Sequence, residues 1–340
     1  MPRLSALPYP QRTTRLAPSP TGALHLGNAR TFLITWAIAR RRGWRVLLRI
    51  EDLDTPRVKP GAADSLADTL RWLGMDWDPP LPPSPPDNPL VQSRDLAPYR
   101  AAMRTLAAKA LVYPSDLTRA QIEAAAGAPQ EGAHDIPFPA HLRPPLAPTD
   151  FDAAAESTNW RFAVPPGVVE FTDDFAGPQR FDVSAIVGDF VVWTKRAQPA
   201  YQLAVVVDDH RQGVTDVIRG DDLLDSAARQ LLLYRALGLS PEPTYMHVPL
   251  VRGPDGRRLA KRHGDTRVDH YRELGVPAEA IIGLIASWTL GPDAGPRRPM
   301  SAAEFSARLD PNTIPKGPIT FTPEDDQWLL SFASRVPRRP

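Results

Sequence analysis

From Arg45 onward the chain alternates between short β-like runs and helix-like runs, and this alternation limits its fold more than any other feature. "RVLLRIED" (Arg45–Asp52) reads as a buried strand ending in acids. "GAADSLADTLRWLGM" (Gly61–Met75) reads as a helix, and "SRDLAPYRAAMRTLAAKALVY" (Ser93–Tyr113) contains a second. β-like signals return in "VVEFTDDF", "GDFVVWTK" and "YQLAVVVDDHRQGVTDVIRG" (Tyr201–Gly220). A helix at Ser226–Leu239, a strand at Tyr245–Val251 and helices around Ala278–Leu290 and Ala302–Leu309 complete the pattern. Strands alternating with helices imply an α/β fold with a doubly wound parallel sheet, covered by helices on both faces.

The pattern breaks once. Between about Pro114 and Pro166 the chain becomes Pro- and Ala-rich and poorly periodic, which reads as an insertion splitting the sheet into two halves. Forty of the 340 residues are proline, and they cluster at Asp78–Pro89 and Pro137–Pro148. Such stretches favour stiff, polyproline-like connections over folded elements.

Composition excludes several chemistries. There is no cysteine, so disulfides, thiolate catalysis and cysteine-ligated zinc are ruled out. No apolar run is long enough to span a bilayer, and "MPRLSALPYPQR" lacks the apolar core of a secretory signal, so a cytoplasmic protein is expected. The net charge of +1 neither favours nor opposes a nucleic-acid partner, because a binder needs only a local basic face.

"TTRLAPSPTGALHLGNAR" (Thr13–Arg30) carries the first chemical signal. Thr13–Leu16 reads as a strand end, and Pro18 and Pro20 stop further pairing because each lacks an N–H. From Asn28 to Ala39 apolar residues recur with helical spacing, so the motif sits on a strand–turn–helix junction with Gly27 in the first helical turn. A helix start offers unpaired N–H groups to a phosphate, and Gly22 and Gly27 allow close approach to the backbone. A second signal, "PDGRRLAKRHGD" (Pro254–Asp265), places five basic residues around a glycine-containing turn, suited to a mobile loop that brings Lys261 onto a polyphosphate. Ligands of such sheets bind beyond the carboxyl ends of the strands. Four loaded segments follow predicted strands: Arg15–Asn28, Glu51-Asp52, Arg219–Asp222 and Arg258–Gly264.

Together, "APSPTGALHLGN" and "RRLAKRH" resemble the paired HIGH and KMSKS motifs of class I aminoacyl-tRNA synthetases. "RIEDLD", "AYQLAVVVDDHRQGVTDVIRGDDLL" and "HVPLV" resemble the glutamyl branch, and the chain is most similar to its glutamyl-queuosine tRNA(Asp) synthetase family. The resemblance covers about Arg12 to Tyr271, apart from the proline-rich insertions. It implies a Rossmann-like sheet in two halves, residues 1–113 and 185–251. An acceptor-binding-like insertion at 114–184 would separate them. The KMSKS-like loop and a small helical C-terminal extension, at 252–340, would leave no room for a complete anticodon-binding domain.

The resemblance also implies an activity: L-glutamate and ATP give glutamyl-adenylate, and the glutamyl group passes to queuosine at the wobble position of tRNA(Asp). Carried over position by position, the glutamate pocket comprises Arg15, Leu16, Ala17, Pro18, Ser19, Glu51, Tyr201 and Arg219. Guanidinium groups pair carboxylates in bidentate geometry, Glu51 suits the ammonium, and the Tyr201 hydroxyl suits a polar substrate atom. Pro18, His25, Gly27, Asn28 and Lys261 would bind ATP, with His25, Asn28 and Lys261 as the catalytic set. Asn28 keeps a donor but cannot become a cation, and Ala260 lacks the hydroxyl common at its position. Mg²⁺ is expected to accompany the ATP phosphates.

Many members of the family hold a structural zinc through cysteines in the insertion. Here that stretch reads "YPSDLTRAQI", and Asp116, His134 and His141 match no compelling ligand spacing, so no metal site is expected. A monomer with no membrane association is anticipated. Two rival readings are a compact glutamyl-tRNA synthetase that charges a tRNA 3′ end, and a non-catalytic nucleotide- or tRNA-binding paralogue.

Overall fold

The computed structural model describes residues 11–79, 90–126, 137–154, 158–257, 259, 264–291 and 294–334. The chain divides into two compact units. One contains Met1–Leu90, Val214–Asp221 and Met246–Pro340; the other contains Val91–Gly213 and Asp222–Tyr245.

In the first unit, strand Thr13–Leu16 pairs in parallel with Arg45–Ile50, Arg15 opposite Leu47 and Leu16 opposite Leu48. Both strands are almost wholly buried, as the apolar run "VLL" requires when helices cover both faces. Strand Asp216–Gly220 runs alongside the first: the Thr215 amide donates to the Thr13 carbonyl at 2.9 Å, and Thr14 Oγ1 donates to the Asp216 carbonyl at 2.8 Å. The connecting helix Leu26–Arg41 buries Leu33, Ile34, Trp36, Ala37 and Ile38. Helix Ala278–Thr289 is apolar nearly all round and buried accordingly. It packs on the later helices Ala302–Arg308 and Pro323–Leu330. The last of these opens with a capping box, Thr322 and Asp325 each bonding the other's backbone amide.

The second unit is built differently. Val112–Ser115, Asn159–Phe162, Phe190–Thr194 and Gln198–Pro199 form an antiparallel sheet, so the poorly periodic insertion contains ordered strands. Its centre is aromatic: Trp160 lies opposite Trp193, and Phe151 meets both rings edge-on at 5.3 and 5.1 Å. Val169–Asp173 and Gly177–Phe181 form a hairpin whose turn is set by Asp173 Oδ1, which accepts the Phe175 and Ala176 amides.

One element departs from the sequence reading. Tyr201–Gly220 was expected to be β, yet Tyr201–Arg211 is a helix and only Asp216–Gly220 is a strand. The helix is buried from Gln202 to Asp209, so Val205-Val206-Val207 has apolar neighbours on every side. A continuous apolar run suits a buried strand and a buried helix equally, and periodicity does not separate them. The polar residues decide it. Asp208 is fully buried and accepts from Gln92 Nε2 and the Tyr99 hydroxyl, with Arg211 one helical turn away at 2.8 Å.

Candidate active site

The carboxyl ends of the three neighbouring strands in the first unit carry most of the expected residues. Arg15 is 5% exposed on the first strand. Just past that strand, the Pro18 carbonyl accepts from the Glu51 amide at 3.0 Å, joining the two strand ends directly. Arg49, which is fully buried, donates through Nε and Nη2 to Glu51 Oε1 at 3.2 and 3.1 Å. That contact fixes the Glu51 carboxylate at the strand end. Arg219, 6% exposed, stands at the end of the third strand and donates from Nε to His247 Nε2 at 2.9 Å. An accepting Nε2 assigns the His247 proton to Nδ1 and makes the ring a neutral partner. Tyr201 belongs to the second unit, where it begins its helix and is 40% exposed.

His25 is the N-cap of helix Leu26–Arg41, its extended backbone turning the chain into the helix. This helix start is joined to the segment that follows the basic loop. His25 bridges Arg267, the Leu26 amide donates to the Thr266 carbonyl at 3.0 Å, and the Val268 amide donates to the Leu24 carbonyl at 2.8 Å. The His25 ring shares a 3.2 Å hydrogen bond between Nδ1 and Thr266 Oγ1. The two separate sequence motifs therefore border one structure. Lys261 itself lies outside the described residues, as do Ala260 and His134.

A cavity of ≈ 910 Å³ opens beside His25. Pro20–Ala23 form one wall, Lys59–Ala62 with Ser65 and Leu66 a second, and Gly264, Asp265, Arg267 and Asp269 a third. The Asp265 carboxyl is held below its ordinary range by a hydrogen bond from Arg267, whose own affinity for its proton is raised in return. Gly22 has open space on its Cβ side and lines the cavity; Gly27 instead lies against Val251. Asn28 is exposed at the helix start.

Behind the helix start, Arg30 is fully buried. It donates to the Pro249 carbonyl at 2.7 Å and to Thr289 Oγ1 at 3.0 Å, tying the His25 helix to the chain after Val248 and to helix Ala278–Thr289. Burial lowers its pKa to about 10, only partly opposed by the charge of Asp221. Sequence reading missed Arg30, Arg49, His247 and Thr266. Arg30, Arg49 and His247 lie inside motifs it quoted, but their partners are distant in the chain or turn on side-chain direction. Among the described residues no group of three His, Asp or Glu side chains could hold a metal ion; Asp116 accepts a short hydrogen bond from Thr158 instead.

Comparison with known proteins now gives the class. Residues 11–327 match the family model for class I tRNA synthetases (E and Q), catalytic domain. The chain belongs to this family of class I tRNA synthetases. It is 44% identical over 314 residues to a Glutamyl-Q tRNA(Asp) synthetase of Symbiobacterium thermophilum, covering 91% of this chain and 96% of that one. A Glutamyl-Q tRNA(Asp) synthetase of Rhodopirellula baltica is 47% identical over 298 residues, covering 82% and 86%. Among solved structures, a glutamate tRNA ligase from Elizabethkingia meningosepticum, in complex with its amino acid, superposes with a TM-score of 0.75 at 27% identity. That match covers 94% of this chain and 69% of the other.

Proposed function

We propose that the protein activates L-glutamate with ATP and transfers it to queuosine at the wobble position of tRNA(Asp). One observation carries this reading: identities of 44% and 47% extend over 96% and 86% of two relatives bearing the name Glutamyl-Q tRNA(Asp) synthetase. The site chemistry is consistent with it. Arg15 and Arg219 pair the two carboxylates of glutamate, and Glu51, held by Arg49, takes the ammonium. Leu16–Ser19 complete the first unit's part of the glutamate site.

ATP lies along the His25 helix start, with Pro18, Gly27 and Asn28 beside it and Lys261 on the phosphates. The glutamate α-carboxylate attacks the α-phosphorus, the bond to the β-phosphate oxygen breaks, and pyrophosphate leaves. A queuosine cyclopentenediol hydroxyl then attacks the activated carbonyl, losing its proton as AMP departs. The residues act by orientation and by stabilising developing charge, with no covalent enzyme intermediate. Mg²⁺ would accompany the ATP phosphates and offset their charge. The protein works as a cytoplasmic monomer without zinc, and residues 114–184 serve the RNA acceptor.

The test is incubation with labelled glutamate, ATP and tRNA(Asp) with and without queuosine. Label is expected only on queuosine-containing tRNA, and it should survive periodate treatment that blocks 3′ ends. Label on queuosine-free tRNA, lost after periodate, would make the protein a compact glutamyl-tRNA synthetase. No glutamate-dependent ATP–pyrophosphate exchange would make it a non-catalytic paralogue.

A further inference from the structure

The second unit contains a cavity of ≈ 620 Å³ that the proposed chemistry leaves unused. Phe138, Arg161, Ile186, Phe190 and Arg229 are among its walls. The Phe138 loop is seated by a bond from its amide to the Val187 carbonyl at 2.9 Å. Gly188, at φ +67°, lets that loop come close; a Cβ there would collide with the Phe138 carbonyl. Below the wall, Asp189 is 1% exposed in its side chain and bonded by the Tyr113 hydroxyl, Arg143 and the Val164 amide. Its carboxylate is therefore committed, and Arg161 takes only its backbone carbonyl, at 2.8 Å through Nη1.

Arg161 is consequently a half-buried cation short of partners. Its guanidinium sits 4.3 Å over the Phe138 ring, and its buried Nε has no hydrogen-bond partner. Burial outweighs the nearby charge of Asp189, so its affinity for a proton is lowered. Arg229 repeats the pattern: Nη2 donates to Asp225 and Ser226 at 2.8 and 2.9 Å, while its buried Nε is unmatched. Ile186 remains 45% exposed on the same wall. Unmet guanidinium donors, an arginine already stacked on a ring and an exposed apolar surface suit a flat ligand edged with acceptor oxygens.

We propose that this cavity holds one unstacked nucleotide of the tRNA substrate, its base along the Ile186–Phe190 wall and its acceptor oxygens on Arg161 and Arg229. The inference rests on the reading of the protein as a tRNA-glutamylating enzyme, and it assigns the RNA partner a defined pocket.

Two full-length variants test it, Arg229→Ala and Ile186→Glu. The second places a carboxylate at an exposed position, where folding is not at stake. Glutamate-dependent ATP–pyrophosphate exchange should stay within about twofold of wild type in both, because that half-reaction needs no RNA. Transfer to queuosine-containing tRNA(Asp) should fall about tenfold in kcat/KM, mainly through KM, as expected for one lost stacking or arginine contact. Binding of the isolated anticodon hairpin of tRNA(Asp), read by fluorescence anisotropy, should weaken by the same factor. Unchanged transfer and hairpin binding in both variants would overturn the proposal, as would an equal loss of exchange and transfer. Failure of the functional reading is distinct, because wild type itself would then lack exchange or queuosine-dependent transfer.

Discussion

The two units treat buried charge in opposite ways. In the second, the buried carboxylates are closed by their own surroundings. Asp189 is bonded by Tyr113, Arg143 and the Val164 amide, and Asp208 by Gln92 and Tyr99, with Arg211 as its ion-pair partner. In the first, buried guanidinium groups gather at and behind the strand ends: Arg219 donates to His247, Arg30 to a carbonyl and a threonine hydroxyl, and Arg49 to Glu51. A carboxylate met by several donors is a structural device, whereas a guanidinium held at the carboxyl end of a strand is placed where ligands of such sheets bind. The buried carboxylates of the second unit therefore serve its fold, whereas the strand-end arginines of the first are the groups proposed to meet the amino-acid ligand.

Substitutions should separate the two kinds of site. The largest effect is expected from Arg219→Met. Losing the proposed charge-assisted contact to a glutamate carboxylate should lower kcat/KM for glutamate-dependent exchange by at least about a hundredfold, while the melting temperature changes little. In the second unit the ranking reverses. Asp189→Ala strands Arg143 and Tyr113 and should cost about 3–5 kcal/mol in urea unfolding, yet leave exchange per folded molecule near wild type. If Asp189→Ala abolished exchange without loss of stability, the contrast would fail.

Intermediate cases sharpen it. His247→Leu removes the acceptor that orients Arg219 and should raise KM for glutamate about tenfold, with kcat and KM for ATP nearly unchanged. The smallest effect belongs to the cavity rim. The Asp265 carboxyl is depressed by Arg267, so its stabilising contribution is present above the ordinary value of 3.8 and is lost as pH falls through the folded value. Asp265→Asn should lower the melting temperature slightly at neutral pH, and the difference from wild type should persist down to about pH 4 and shrink only as the pH falls further, through the lowered folded value.

Much of this was legible in the sequence, for identifiable reasons. Pro18, Pro20 and the helical spacing after Asn28 located the strand–turn–helix junction, because proline and periodicity are local signals. The apolar "RVLLRI" read correctly as a strand buried on both faces. "YQLAVVVDDHR" did not read correctly, since three consecutive valines suit a strand and its burial on all sides erased the helical pattern. Arg219 was singled out from its motif, but its partner His247, 28 positions away, depends on which strand ends the topology brings together. Asp189 gave no signal at all. Its three partners come from separate stretches of the chain, and only folding assembles them.

Guanidinium groups at the strand ends are expected to select a dicarboxylic amino acid beside ATP before any RNA is bound. ATP–pyrophosphate exchange by the full-length protein, without tRNA, with glutamate, glutamine or aspartate in turn, tests this most directly. The account predicts exchange with glutamate and little with the other two. Equal exchange with glutamine, or exchange that appears only when tRNA is added, would contradict it.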